Sequence, residues 1–98
     1  MKYEVYFEKE ALFDLEKLDR SIQAKIINKI EKLGESFPNF PNIAQLKHYS
    51  NVKKLVKKYG KELYRLKIGD YRVIFFIDED TRTINIVKIG HRKEVYDD

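Results

Sequence analysis

The stretch Glu62-Leu63-Tyr64-Arg65-Leu66-Lys67-Ile68-Gly69-Asp70-Tyr71-Arg72-Val73-Ile74-Phe75-Phe76-Ile77-Asp78 decides how this chain folds. Two runs of alternating, strand-forming residues flank Gly69-Asp70. That pair suits a two-residue hairpin turn, because glycine takes a positive φ at the first central position without steric cost. The turn sets the register: Ile68 faces Tyr71, Lys67 faces Arg72, Leu66 faces Val73 and Arg65 faces Ile74. Side chains alternate between faces with period two, so Tyr64, Leu66, Ile68, Tyr71, Val73 and Phe75 form one apolar face. Arg65, Lys67 and Arg72 share the other. Lys67 and Arg72 are directly opposed, with Cβ atoms about 4.5–5.5 Å apart, and like charges so placed are destabilising. A fold that keeps such a pair uses it on an anion.

Upstream, Tyr3, Val5 and Phe7 alternate with Lys2, Glu4 and Tyr6, the pattern of a first strand with one buried face. Helical spacing takes over from Glu8 to Leu18, with Ala11, Leu12, Leu15 and Leu18 on one side and acids in the first turns, where they suit a helix N-terminus. Asp19 is placed to cap a second helix, whose Ile22, Ile26, Ile30 and Leu33 recur every three to four residues. Gly34 falls near its end, and Pro38 and Pro41 forbid continuation. Residues 38–61 hold no single period. They read as a long loop with one helical turn or a short strand around Val52–Val56. Downstream of the hairpin, Asp78-Glu79-Asp80-Thr81 makes a turn, Thr83–Ile89 is a buried strand rich in β-branched residues, and a short polar tail follows.

The expected architecture is a single α+β domain over residues 1–98. Two N-terminal antiparallel helices pack on a mainly antiparallel four-stranded sheet, in the order β-α-α-β-β-β. Ninety-eight residues support one core. No apolar run approaches the ~20 residues needed to cross a bilayer, the first residues do not resemble a signal peptide, and there is no cysteine. The expected location is therefore cytoplasmic. Two distant histidines and no cysteine give no metal-ligand spacing, so neither a metal nor a cofactor is expected. Net charge is +4 and unevenly spread: residues 47–98 carry thirteen Lys/Arg against eight Asp/Glu. From Lys47 to Lys67 eight basic residues accompany one acid, Glu62. That local excess fits phosphate backbones or an acidic protein partner, although a solvated lysine-rich loop has the same composition.

The order of elements, the phrase Leu63-Tyr64-Arg65-Leu66-Lys67-Ile68-Gly69-Asp70-Tyr71-Arg72-Val73-Ile74 and the ending Ile89-Gly90-His91-Arg92-Lys93-Glu94-Val95-Tyr96 resemble the RelE/ParE superfamily of microbial toxins. The resemblance covers nearly the whole chain, and Gly90-His91-Arg92 with Val95-Tyr96 lies closer to the RelE side. It implies a toxin paired with a RelB-like antitoxin, in a complex for which a heterotetramer is expected. For RelE-like members it further implies a ribosome-dependent endoribonuclease that cuts mRNA in the A site. Two other functions stay open: a ParE-like, non-enzymatic poison of DNA gyrase, and an inactive antitoxin-binding module that takes part in operon autoregulation.

By the same resemblance the site residues are Arg65, Lys67, Arg72, Arg92 and Tyr96, with His91 beside them. Arg65 stands where many relatives have lysine, and a guanidinium stays protonated and makes a poor base. RNA cleavage through the 2′-OH needs a base, an acid for the leaving oxygen, and cations for the phosphorane charge. Lys67, its ammonium influenced by Arg65 and Arg72, is the expected base. Arg72 holds the phosphate, Arg92 or His91 supports the leaving group, and Tyr96 stacks on a base. Plainer roles exist for some: His91 as a turn residue closing the strand, Tyr96 as cover for a sheet edge, His48 as a surface histidine. The antitoxin is expected to be acidic and to cover Ile74 and Phe76, which share a face with Arg72.

Overall fold

The computed structural model describes residues 3–36, 52–58 and 61–95. Within them the chain runs β1 (Glu4–Phe7), α1 (Lys9–Glu16), α2 (Arg20–Ser36), β2 (Val52–Lys58), β3 (Lys61–Ile68), β4 (Tyr71–Asp78) and β5 (Thr83–His91). The sheet order is β1-β5-β4-β3-β2. β1 pairs with β5 in parallel and the remaining pairs are antiparallel. The α+β class, the two helices and the mainly antiparallel sheet are as expected. The sheet has a fifth strand because 52–58, read mostly as loop, pairs with β3. Its alternation is broken by a register shift between Lys54 and Lys57. Val52 is buried with Leu66 opposite it, Leu55 is half-buried, and the odd spacing hides the strand from a period-two search.

The central hairpin forms as its turn dictates. Gly69 has φ +57° and no other residue of that turn has a positive φ, the pattern of a type II′ turn. Tyr64 pairs with Phe75, Leu66 with Val73, Lys67 with Arg72 and Ile68 with Tyr71. One face of this hairpin enters the core with Ala11, Leu15, Ile26, Ile30 and Leu33 from the helices and Ile84, Ile86 and Ile89 from β5. The rings of Tyr64 and Phe75 stack with centroids 5.7 Å apart. In β5 the pairs Ile74–Lys88 and Phe75–Ile86 leave Val87 as an extra residue. That bulge resets the alternation, so Ile84, Ile86 and Ile89 all reach the core despite their odd spacing.

α1 ends at Glu16, two residues short of the expected Leu18. Ala11 and Leu15 are its buried residues, whereas Leu12, expected on the same side, is 44% exposed. Leu12 lies one residue, about 100° of helix rotation, from Ala11. The helix lies along β5, and Asp14 Oδ2 accepts a hydrogen bond from the Ile89 N–H at 3.1 Å. β1 pairs with β5 only over Thr83–Ile86. Asp14 therefore satisfies a β5 donor beyond the end of β1. In α2 the Asp19 carbonyl accepts the Gln23 N–H, consistent with Asp19 as the capping position. Gly34 lets β1 approach α2: a Cβ there would lie 2.9 Å from the Tyr3 carbonyl oxygen.

Candidate functional site

The sheet face turned away from the helices carries the cations. Lys67 on β3 and Arg72 on β4 are direct cross-strand partners, and Gly90 on β5 is the next partner of Arg72. Lys67, Arg72 and Gly90 thus form one row across three strands, with strands spaced ~4.8 Å apart. Arg65, one step along β3, is half-buried, and the register sets Lys53 of β2 opposite it.

Arg72 is buried, at 8% exposure. Its Nη1 donates to the carbonyls of Gly69 and Tyr71 at 3.0 and 3.1 Å. The guanidinium is drawn back over the hairpin turn and fixes the turn as it contributes charge. Arg92 is exposed; its N–H donates to the Asp70 carbonyl at 2.7 Å and its Nε lies 3.9 Å from Asp70 Oδ1. Asp70 therefore tethers Arg92 to the turn that holds Arg72. Lys88, opposite Ile74, turns its ammonium to Glu10 and Asp14 of α1 at 3.8 and 3.9 Å, so its charge is met by carboxylates.

His91 is not brought to this face. It pairs with Tyr71, whose side chain is on the helix side of the sheet, and the two rings meet edge to face with centroids 5.6 Å apart. His91 Nδ1 accepts the Lys93 N–H at 3.2 Å. The imidazole stands at the last residue of β5. Tyr96 lies outside the described residues, as does His48. Ile74, expected as an exposed contact for a partner, is only 6% exposed, whereas Phe76 is half-buried. Ile74, Arg72 and Val95 are each buried but lie outside the main core cluster.

After β5 the chain makes a single turn in which the Glu94 and Val95 N–H groups both donate to the His91 carbonyl. The turn brings Val95 and Glu94 over Gly90. A Cβ on Gly90 would lie 2.7 Å from Val95 Cγ2 and 3.7 Å from Glu94 Oε1. Glu94 Oε1 also accepts the His91 N–H at 3.3 Å. Sequence reading missed both Glu94 and Asp14. A glycine at a strand end, four residues before a carboxylate and followed by a valine, is a faint signal for the first; the second bridges residues 75 apart and leaves no local signal. Among the described residues no group of three or more His, Cys, Asp or Glu is placed to hold a metal, and no helix is long and apolar enough to cross a membrane.

The family described as ParE toxin of type II toxin–antitoxin system, parDE, matches residues 5–96. An Escherichia coli protein that carries the name RelE-like toxin is 26% identical over 93 residues, covering 95% of this chain and 86% of that one. The RelE–RelB complex of Pyrococcus horikoshii contains a chain that superposes with TM-score 0.69 at 24% identity, covering 97% of this chain and 100% of its own. In the antitoxin–toxin complex of Methanococcus jannaschii the corresponding values are 0.62, 28%, 94% and 95%.

Proposed function

From the premise that this chain belongs to the ParE toxin family of type II toxin–antitoxin systems, with a RelE-like fold, we propose that it is a ribosome-dependent endoribonuclease. It cleaves mRNA in the A site by attack of the 2′-oxygen on the adjacent phosphorus. The observation that carries this reading is the row of opposed like charges, Lys67 against Arg72, with Arg65 beside it and Arg92 tethered at its end. Such a row is unfavourable without an anion and stabilising for the extra negative charge of a phosphorane. Three of the four cations are arginines, which remain protonated and serve charge and orientation. A site built from cations needs its substrate held in a reactive pose by something else, and the ribosome supplies that orientation.

The partner of this cytoplasmic toxin is an acidic, RelB-like antitoxin. In P. horikoshii and M. jannaschii the similar chains occur in complex with RelB. A chain of +4 net charge with its excess in the second half has the matching charge. With Ile74 already buried, the antitoxin's apolar contact on this face falls on Phe76.

The test is primer extension on a defined mRNA in a purified translation system, with and without ribosomes. Breaks at A-site codons that require ribosomes and are lost with Lys67→Ala are expected. Lys67 is the variant of choice because it is exposed, whereas Arg72 also braces the turn. A second reading, non-enzymatic poisoning of DNA gyrase, is favoured by the match to a family named for ParE. Protein that arrests growth, leaves mRNA intact and blocks supercoiling in vitro would establish that reading instead.

A further inference from the structure

We propose that the outer face of α1 pairs two copies of this chain in an antiparallel, two-fold contact. Of the three large apolar side chains exposed among the described residues, Tyr6, Leu12 and Phe13, two are neighbours on this short helix, at 44% and 55% exposure. With about 100° of rotation per residue, Lys9 and Glu16 fall almost in line, about 20° apart, and Leu12 and Phe13 lie on either side of that line. All four side chains are exposed. They point away from Ala11 and Leu15, which enter the core. Single exposed apolar side chains are ordinary, but an adjacent pair closed at each end by a charge has the build of a small docking face.

The charges select the occupant. Lys9 and Glu16 are about 10 Å apart along the helix axis, too far to pair within one copy. Neither takes part in an ion pair among the described residues. Glu10 and Asp14, the other acids of the helix, are met by Lys88. The four positions are symmetric about the point midway between Leu12 and Phe13, with Lys9 as far to one side as Glu16 is to the other. A second α1 turned end for end therefore sets Lys9 of each copy against Glu16 of the other and gathers Leu12 and Phe13 of both at the axis. Each group on the face meets its complement on the same face, as an isologous interface requires. An acidic partner would gain at Lys9 and be repelled at Glu16. Eight residues of helix span about 12 Å, so the contact belongs to the small, reversible class below about 1,200 Å². The cation row, on the sheet face turned away from the helices, is not part of it, and the proposal stands apart from the endoribonuclease reading.

Sedimentation equilibrium of the full chain at low salt, from about 10 µM to 1 mM, tests it. Wild type should pass from monomer toward dimer within that range. Lys9→Glu places two carboxylates face to face at each end of the contact, and Glu16→Lys places two ammonium groups there. Each should weaken dimerisation about tenfold or more. Both substitutions put at each helix end the charge that its dipole favours, so the unfolding midpoint should not fall. An equimolar mixture of the two variants should regain association, because an acidic face then meets a basic one at both ends. The double variant Lys9→Glu/Glu16→Lys should pair with itself. Wild type that stays monomeric to about 1 mM, as it would if α1 were reserved for another protein, overturns the proposal. So do single variants that pair as well as wild type, or weakened variants whose mixture does not recover, since self-association would then use another face or another register.

Discussion

Gly90→Ala tests whether the C-terminal turn is seated on the cation face. In a strand interior the change from glycine to alanine ordinarily stabilises by roughly 0.5–1 kcal/mol, because the unfolded chain loses freedom. Here the new methyl would lie 2.7 Å from Val95 Cγ2, about 1 Å inside the optimum for two carbons. Val95 is 5% exposed and sits at the end of a single surface turn, so the turn moves and the sheet does not. Losing the burial of a valine side chain costs about 1.5–3 kcal/mol. The loss exceeds the gain, and a net destabilisation of about 1–2 kcal/mol is expected. At ~4–8 °C per kcal/mol for a domain of this size, the unfolding midpoint falls by about 5–15 °C. Urea and thermal unfolding followed by circular dichroism give the number, and a cycle with Val95→Ala isolates the contact. Val95→Ala alone loses burial, and Gly90→Ala alone loses the seat. The double variant, having no Cγ2 to collide with, should be more stable than the two single effects together predict. A Gly90→Ala protein as stable as wild type, or strictly additive effects, would show that Val95 does not rest on Gly90.

Lys67→Ala should raise stability by about 0.2–1 kcal/mol, because it removes a like charge directly opposite Arg72, while mRNA cleavage is lost; a drop in the urea midpoint would contradict this. Gly34→Ala should destabilise by about 1 kcal/mol in the same assay. The helix-propensity gain of roughly 0.8–1 kcal/mol is outweighed by overpacking, typically 1–3 kcal/mol, against the Tyr3 backbone oxygen at 2.9 Å, which has no rotamer to escape into. Burial, and then the charge of Glu62, which accepts the phenol's hydrogen bond, holds the Tyr64 hydroxyl above the ordinary tyrosine value. The folded state favours its neutral form, so this contribution is complete below pH ~10 and is lost as pH rises through the folded value. Tyr64→Phe should flatten the alkaline fall in stability, measured by denaturant titration from neutral pH upward.

The parts of the fold legible in the sequence are those set by local rules. Gly69 at a positive φ fixed the central register, and every expected pair from Arg65–Ile74 to Ile68–Tyr71 is present. Helical spacing located α2 and its Ile26, Ile30 and Leu33 stripe. Illegible parts lie where the local period is interrupted or irrelevant. The shift between Lys54 and Lys57 disguised β2 as loop, and with it the position of Lys53 opposite Arg65. Leu12 was misassigned because the unbroken apolar run Ala11-Leu12-Phe13 in α1 leaves the buried direction ambiguous, and only the sheet beneath resolves it. Lys67 and Arg72 were found because a hairpin relates them. Glu94 was not, since its place depends on a turn that folds back over a glycine on a third strand.

The same register explains why the cation row can exist at all. Leu66 and Lys67 are neighbours on β3, as Arg72 and Val73 are on β4, so sliding the hairpin by one residue would exchange core and cations. Burial of Tyr64, Leu66, Ile68, Val73 and Phe75, at about 1.5–3 kcal/mol for each fully buried apolar side chain, holds that register with of order 10 kcal/mol gross, an upper figure because unfolded chains already bury some surface. Opposed charges at Lys67 and Arg72 oppose it with roughly 1 kcal/mol or less. The core therefore decides the register, and the cations are carried into their row by it whether or not an anion is present. It follows that the row should survive removal of Lys67 unchanged in backbone. Substitution of Val73 by a polar residue should abolish cleavage by unfolding, without touching a single charged group.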